Sequence, residues 1–311
     1  MIKIYKSNKE SFVERIEKIE KNCWIDLVSP SIEEIEEVAD LTSANKDLLM
    51  KMLDEEEMPR VEIEDNTTLI VIDTPFIEDK DNKYSTLPLG IIMVNDSYFI
   101  TVSSRKLELL KLFKRGKVKN IKTEQKSRFF ITLLFENAKL YLKYLRKIDD
   151  EIDKTEKKLK KLSENDELVN MLNIEKSLVY FITSLNENKR LIDKISKGNV
   201  IKMYEEDIDI LEDASIENAQ AIEMTKIYRE ILSSVSGAYA TIISNNLNTA
   251  MKILTSITII FSVPTMISSF MGMNVNLGSI SNMKYAFVIV LAISLIISIL
   301  IALIFKKKKL L

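Results

Sequence analysis

Two uncharged segments near the C-terminus limit what this chain can fold into. Residues 253–273 and residues 285–305 are each 21 residues long, and neither contains Asp, Glu, Lys or Arg. Because an α-helix rises about 1.5 Å per residue, each segment would cross roughly 30 Å, the thickness of the hydrocarbon core of a bilayer. The sequence therefore predicts two transmembrane helices joined by an outer loop of residues 274–284.

The lysines around these segments predict their orientation. Lys252 precedes the first span and a basic tail of residues 306–311 follows the second, whereas the loop carries Lys284 alone. Cytoplasmic flanks of membrane helices carry an excess of Lys and Arg. The N-terminus, MIKIYKSNKESFVERIEK, has no apolar segment typical of a cleaved secretory signal. We therefore expect a multi-pass protein of the cell (inner or plasma) membrane with both termini in the cytoplasm.

Residues 1–122 combine strand and helix patterns. The sequence SIEE from Ser31 matches a capping box and predicts a helix to about Asp40, and DLLMKMLDEEE predicts a second helix. Runs rich in Ile and Val, bounded by Pro, Asp or Asn, predict strands. These runs are MIKIY, CWIDLV, RVEIED, TTLIVIDTPF, LGIIMV and YFITV. The mixture is typical of an α+β or α/β domain, which we expect in the cytoplasm.

Helical patterns dominate the residues that follow. Residues 123–200 are the predicted helical stalk arm, in which one helix covers residues 128–162 and another ends near Lys197. Residues 201–272 contain no clear stop signal, so we expect one long stalk and pore-lining helix that continues into the membrane. Such a helix would be on the order of 100 Å long.

The composition excludes several functions. The chain has no histidine and one cysteine, Cys23, and its formal net charge is −2. The usual acid and base of neutral pH is therefore missing, and a disulfide or a Cys-pair metal site within the chain cannot form. The absence of a basic excess gives no indication of nucleic-acid binding. We expect no enzymatic activity and no nucleic-acid partner.

A polar stripe runs along the predicted long helix. An average period of about 3.5 residues held over its length predicts a left-handed supercoil of several copies. Alternating steps of four and three residues give Glu230, Ser234, Gly237, Thr241, Ser244, Asn248, Met251, Thr255, Thr258, Ser262, Thr265 and Ser269. All of these except Met251 are polar or glycine.

Two interpretations of this stripe stay open. In the first, the hydroxyls bond back to carbonyls of their own helix or allow close helix packing. In the second, several copies surround a water-filled path, and Met251 with Leu254 forms an apolar collar where dewetting closes it. The candidate lining residues are Asn248, Met251, Leu254, Thr255, Thr258, Ser262, Thr265 and Ser269.

The first span ends on Gly272, Met273 and Asn274. If the helices line a pore, these residues sit at its outer mouth. Mg²⁺ prefers six oxygens and sheds water reluctantly, so a ring of neutral carboxamides can hold its hydration shell without stripping it. A ring of carboxylates would bind the ion too tightly for conduction.

The chain resembles the CorA family of pentameric divalent-cation channels over nearly its whole length. The segments that carry the resemblance are WIDLVSPSIEEIEEVA, LDEEEMPRVEI, PLGIIM, NTAMKILT, GMN and FKKKK. The resemblance implies an N-terminal α/β domain, a helical arm, a long pore helix and an outer helix, assembled as a homopentamer in the bilayer. It implies conduction of Mg²⁺, and often of Co²⁺ or Ni²⁺. Gly272, Met273 and Asn274 would form the selectivity motif.

The resemblance also implies how the channel closes. In the family, cytoplasmic Mg²⁺ bridges carboxylates of neighbouring subunits, since a shared divalent ion converts their repulsion into attraction. Asp213 matches a family metal-binding aspartate, and the loop IEDKDNKY offers Asp79 and Asp81 as partners. The tail lysines are either a membrane anchor or, as the family suggests, a positive collar around the inner neck of the pore. They are Lys306, Lys307, Lys308 and Lys309.

The sequence thus predicts a Mg²⁺ influx channel that intracellular Mg²⁺ closes, with Mg²⁺ both transported and regulatory. A proton-coupled Zn²⁺ transporter of the same architecture is the first alternative. A non-conducting, membrane-anchored coiled-coil scaffold is the alternative from another class.

Overall fold

A computed structural model describes residues 1–8, 13–64, 66–78, 83–159, 165–198, 200–273 and 284–308. The contacts within the chain divide it into two units, Met1–Val235 and Ser236–Leu311. The long helix α6 (Glu205–Met271) contributes to both units. Each unit is described separately below.

The first unit is built on a seven-stranded sheet with the order β2-β1-β3-β7-β6-β5-β4. Only β3 and β7 pair in parallel, and the other neighbours are antiparallel. The strands are β1 (Ile2–Ser7), β2 (Val13–Ile16), β3 (Trp24–Val28), β4 (Arg60–Glu64), β5 (Thr67–Glu78), β6 (Lys83–Val94) and β7 (Tyr98–Ser103).

The six predicted strand runs all lie in this sheet, and two elements were not predicted. β2 is one of them, and the short helix α3 (Glu108–Lys114) is the other. β6 is longer than the run LGIIMV because it pairs with β5 along its full length, from Glu78 opposite Lys83 to Thr67 opposite Val94. Pairing with a long neighbour therefore extended a strand beyond its apolar part.

The predicted capping box forms at the start of α1 (Ile32–Thr42). The Glu34 backbone N–H donates to Ser31 Oγ over 3.2 Å, and the Ser31 backbone N–H donates to Glu34 Oε2 over 2.9 Å. The Met1 ammonium also donates to Glu34 Oε2 over 2.6 Å. These bonds lower the pKa of Glu34, the contact with the terminal ammonium most of all. The N-terminus is thereby held beside the first turn of α1.

Helices cover both faces of the sheet. α1 and α2 (Lys46–Lys51) share one core with Ile25 and Leu27 of β3. Successive strand residues point to opposite faces, so Trp24 and Asp26 face the other way. On that side Phe129 of α4 (Lys126–Leu159) meets the Trp24 ring edge-on, with ring centres 5.2 Å apart. The sheet therefore lies between two helical layers.

Asp26 is a fully buried carboxylate on the α4 face. It forms an ion pair with Lys114 of α3 and accepts a 3.0 Å hydrogen bond from Thr101 Oγ1. Thr101 in turn accepts a 2.8 Å bond from the Trp24 indole N–H. A buried carboxylate is tolerated when it is paired and hydrogen-bonded, and this network gives α3 its place in the fold.

The helices of the predicted arm pack on the sheet through Asp73 of β5. α5 (Asn165–Ser196) contributes Asn188, whose Oδ1 accepts from the Asp73 N–H and whose Nδ2 donates to the Asp73 carbonyl. Asn137 and Tyr141 of α4 donate to the same carbonyl, over 2.8 and 3.3 Å. β4 pairs with β5 only as far as Val71, so these side chains satisfy backbone groups beyond the end of that pairing.

The second unit contains the membrane part of α6 and α7 (Ala286–Lys307). Both helices include stretches long and apolar enough to cross a bilayer. The predicted long helix, expected within residues 201–272, is observed as the 67-residue α6. Most of the predicted loop of residues 274–284 lies outside the described residues.

The burial of the Asp73 carboxyl in β5 predicts that the stability of the protein depends on pH. Burial raises the pKa of Asp73 from its usual 3.8 to about 6, against a smaller lowering by the Ser184 hydroxyl. The folded chain thus binds this proton more tightly than the unfolded chain, and the free energy of unfolding falls as pH rises from about 4 to about 6. Asp73→Asn should remove this loss, on the order of 3 kcal/mol, and raise the thermal midpoint at pH 7.

The measurement is a thermal unfolding series on the purified protein between pH 4 and pH 7. The matched control is Asp40→Asn, which changes an exposed carboxylate of α1. Equal pH profiles for Asp73→Asn and the unaltered protein would contradict the assignment.

Candidate functional site

The predicted lining residues lie on an exposed face of α6. All eight are exposed within the single chain, including the two apolar collar residues, Met251 at 54% and Leu254 at 59%. The eight are Asn248, Met251, Leu254, Thr255, Thr258, Ser262, Thr265 and Ser269. The described residues of the second unit therefore leave this face largely uncovered.

A different face of α6 meets α7. Ser256 is buried, and Ile260, Val263 and Ile267 are less exposed than their neighbours. These four residues recur at steps of four, three and four, which places them on one side of the helix. On α7, Ser298 is buried and reaches this side, with its Oγ 3.5 Å from the Ile260 carbonyl oxygen.

The polar stripe and the α7 face are nearly opposite. At about 100° per residue, the centre of the stripe lies roughly 150° around α6 from the centre of the α7 face. Exposure of this stripe to lipid would be unfavourable in free energy, because hydrocarbon offers no hydrogen-bond partner for hydroxyls and amides. The geometry therefore favours further copies of the chain, or water between them, as the environment of the stripe.

The stripe hydroxyls donate within their own helix. Thr258 Oγ1 donates to the Leu254 carbonyl over 2.8 Å, and Thr265 Oγ1 donates to the Phe261 carbonyl over 2.9 Å. Ser262 Oγ makes the same kind of bond over 2.9 Å, to the carbonyl three residues back. The hydrogen bonds from hydroxyls to carbonyls of the same helix, which the first interpretation describes, are thus present. It uses the hydroxyl hydrogens and leaves the oxygen lone pairs as acceptors, so it does not exclude the second interpretation.

The selectivity motif follows the last turn of α6. The Gly272 N–H donates to the carbonyls of Ser268 and Ser269, and the Met273 N–H donates to the Phe270 carbonyl. A Cβ on Gly272 would meet only those two serine carbonyls, at 3.6 and 3.7 Å, which is ordinary contact. The described residues around Gly272 therefore do not require glycine at this position. Asn274 lies outside the described residues.

The predicted regulatory residues are only partly described. Asp213 is exposed on α6, whereas Asp79 and Asp81 lie outside the described residues. Two other acidic residues near the start of α6 already have partners in the chain. Asp207 is buried and accepts from the Tyr204 N–H over 3.0 Å, and Glu206 forms a 2.7 Å ion pair with Arg128.

The described residues contain no group of three Asp, Glu or Cys side chains placed to hold a metal ion. At the other end of the chain, Lys306 and Lys307 form the last turn of α7, and Lys308 follows as its C-cap. All three are exposed. Lys309 lies outside the described residues.

These features define a membrane protein with an unpartnered polar face on one of its spanning helices. The family described as "CorA-like Mg2+ transporter protein" matches residues 20–307. The chain therefore belongs to the CorA-like Mg²⁺ transporter family, whose members transport divalent cations. The predicted family is confirmed.

Individual relatives agree with this assignment. The cobalt/magnesium transport protein CorA of Methanocaldococcus jannaschii is 28% identical over 293 residues, which cover 91% of this chain and 90% of the relative. The complete structure of the CorA magnesium transporter from the same organism has a TM-score of 0.83 at 26% identity, covering 98% of this chain and 97% of that one. The predicted fold class, an α/β domain followed by a long helix and two C-terminal apolar helices, is confirmed.

A more distant likeness concerns the fold alone. The ZntB cytoplasmic domain from Vibrio parahaemolyticus has a TM-score of 0.61 at 10% identity, covering 78% of this chain and 98% of that domain.

Three buried serines of the second unit were not predicted from the sequence. Ser256, Ser294 and Ser298 are buried in the second unit, although the second span reads as uniformly apolar. The available signal was the recurrence of Ser294 and Ser298 at a helical step of four within an Ile- and Leu-rich segment.

The two faces of α6 predict a labelling pattern. In a Cys23→Ser background, single cysteines at Thr258 and Thr265 should react with a water-soluble thiol reagent in reconstituted protein. Cysteines at Ile260 and Ile267 should not react, because their face meets α7. Cys23 is the only native cysteine and is buried. The Cys23→Ser protein therefore contains no thiol, and its labelling gives the background level. Equal labelling of both faces, or labelling of neither, would contradict a wetted stripe.

Proposed function

We propose that this protein is a homopentameric channel that conducts hydrated Mg²⁺ into the cytoplasm, with both termini on the cytoplasmic side. The observation that carries the proposal is the exposed polar stripe of α6, opposite the face that meets α7. Five such stripes around one axis would enclose a path that a single helix cannot form. Membership of the family and the transport of cobalt and magnesium by the relative support the ion class.

The hydrogen bonds of the stripe suit a hydrated cation. Water molecules bound to Mg²⁺ point their hydrogens outward, so the hydrated ion presents donors. Thr258, Ser262 and Thr265 have already given their hydrogens to backbone carbonyls. Their oxygens therefore present acceptors, and neutral acceptors hold the outer hydrogens without removing water from the ion. Hydrated anions, whose water shells present oxygens outward, would find no donors on these hydroxyls.

The collar and the mouth would control passage. Met251 and Leu254 are exposed apolar side chains at the cytoplasmic end of the span, where a ring of them would exclude water in the closed state. At the outer end, Gly272, Met273 and Asn274 would select the ion, with the Asn274 carboxamide accepting hydrogen bonds from its hydration shell.

Closing would depend on intracellular Mg²⁺. Asp213, together with Asp79 and Asp81 of a neighbouring copy, would bind Mg²⁺ between subunits. Without the ion, these carboxylates repel one another and the assembly loosens. The lysines of the tail would anchor α7 at the inner surface or form a positive collar around the inner neck. These are Lys306, Lys307, Lys308 and Lys309.

Flux through reconstituted protein tests the mouth. Asn274→Ala should abolish Mg²⁺ uptake into proteoliposomes loaded with a Mg²⁺-sensitive dye, because the hydrated ion loses its acceptors, while assembly on size exclusion stays unchanged. The matched control is Asn276→Ala, which removes another carboxamide two residues on. Uptake by Asn274→Ala at the unaltered rate would refute the mouth assignment.

The same assay separates the alternatives. Uptake of Zn²⁺ in preference to Mg²⁺, driven by an imposed pH gradient, would indicate the proton-coupled transporter. No flux from assembled, unaltered protein would indicate the scaffold.

Protease protection tests the gate. Asp213→Lys should weaken the Mg²⁺-induced protection of the cytoplasmic part, because a lysine repels the bridging ion. The control Asp209→Lys makes the same charge change at another exposed position of α6. Protection of Asp213→Lys equal to that of the unaltered protein, with and without Mg²⁺, would count against this site.

A further inference from the structure

A proline interrupts the hydrogen bonds of α6 within the membrane. Pro264 lies inside the helix and has no N–H, so the Ile260 carbonyl lacks the donor that the residue four positions on would supply. Hydrocarbon contains no water to replace that donor. A proline at this depth is tolerated when a neighbouring hydroxyl or helix satisfies the freed carbonyl.

Ser298 of α7 is placed to satisfy this carbonyl. Its Oγ lies 3.5 Å from the Ile260 oxygen and 2.9 Å from the Ser294 carbonyl oxygen, so one hydroxyl hydrogen is shared between two acceptors. The longer contact is at the outer end of the hydrogen-bond range. Ser298 is only 9% exposed, so bulk solvent does not compete for the hydroxyl.

A second hydroxyl supports the same turn from the other side. Thr265 Oγ1 donates over 2.9 Å to the carbonyl of Phe261, the residue after Ile260. Thr265 belongs to the polar stripe, whereas Ser298 approaches from the α7 side. Two consecutive carbonyls before Pro264 are therefore contacted by hydroxyls from opposite faces of α6.

We propose that Ser298 is a positioning residue for ion passage. Its hydroxyl replaces the donor that Pro264 lacks and ties α7 to the α6 backbone there. Beyond Pro264, α6 carries Thr265 and Ser269 and leads to the mouth at Gly272, so the bond fixes the direction of the outer part of the path. The proposal rests on the proposed channel function, and it assigns to the outer helix a direct hydrogen-bonded role in shaping the path.

The experiment is a double-mutant cycle on the full-length protein in proteoliposomes, with Mg²⁺ flux measured per assembled channel. Ser298→Ala should lower the flux about fivefold, the size expected for loss of one hydrogen bond to a buried carbonyl. Pro264→Ala restores an N–H at residue 264 that can donate to the Ile260 carbonyl. In that background, Ser298→Ala should therefore change the flux by less than about twofold.

Ser294→Ala is the matched control, since Ser294 is equally buried on α7 but donates over 2.9 Å to the Leu291 carbonyl of its own helix. Its flux should match the unaltered protein. Should Pro264→Ala fail to assemble, Ser298→Thr and Ser298→Val decide instead, because they have nearly the same shape and only threonine keeps the hydroxyl. Threonine should keep the flux and valine should lower it about fivefold.

Each outcome has one meaning. Equal losses from Ser298→Ala in both backgrounds, or equal fluxes for Ser298→Thr and Ser298→Val, would overturn the role of Ser298. Loss of flux in Asn274→Ala together with full flux in Ser298→Ala would also overturn it, yet would leave the channel function standing. No flux from the unaltered protein would overturn the channel function itself.

Discussion

Every polar group that α6 and α7 carry into the membrane must find a partner there, because hydrocarbon supplies none. Helix formation satisfies most backbone groups, and the stripe hydroxyls satisfy their hydrogens on carbonyls of α6. Two kinds of acceptor still require a hydrogen-bond donor. The first is the Ile260 carbonyl, which would otherwise bond to the N–H that Pro264 lacks, and the second is the set of oxygen lone pairs on the stripe hydroxyls. Ser298 of the same chain supplies a donor for the first. No described residue of the chain answers the second, which favours further copies of the chain, or water between them, beside the stripe.

The same need for partners shapes the interior of the first unit. Asp26 is buried because Lys114 and Thr101 bind it, and the backbone of Asp73 in β5 is satisfied because Asn188 takes over from β4. In both places a side chain from a distant part of the sequence supplies the missing bond. These bonds add to the apolar contacts that hold α3 and α5 on the sheet.

The proposed function uses neutral and charged oxygens for different tasks. The proposed path presents hydroxyls and carboxamides, which contact the hydration shell weakly enough for the ion to move on. The proposed gate uses carboxylates such as Asp213, which hold a divalent ion long enough to join subunits. This division follows from the strong hydration of Mg²⁺, which makes direct binding slow and contact through water fast.

Local patterns in the sequence were sufficient for several parts of the fold. The two spans, the strand runs, the capping box at Ser31 and the uninterrupted α6 all depend on residues close together in the chain. α3 was missed because a short helix such as Glu108–Lys114 has little periodicity to detect. The long first half of β6, starting at Lys83, was missed because pairing with β5 decides it. The packing of α5 on Asp73 joins residues 115 positions apart, which no local pattern contains.

For the site, the sequence by itself determined that a polar stripe runs along the first apolar span as far as Ser269, because a helical period needs no partner to be visible. The tertiary structure decided which side of α6 meets α7, that the stripe is left on the opposite side, and that Ser298 reaches the carbonyl freed by Pro264. Those facts depend on how two helices are rotated about their axes when they pack. That rotation is set by side-chain contacts between them, and neither helix contains it alone.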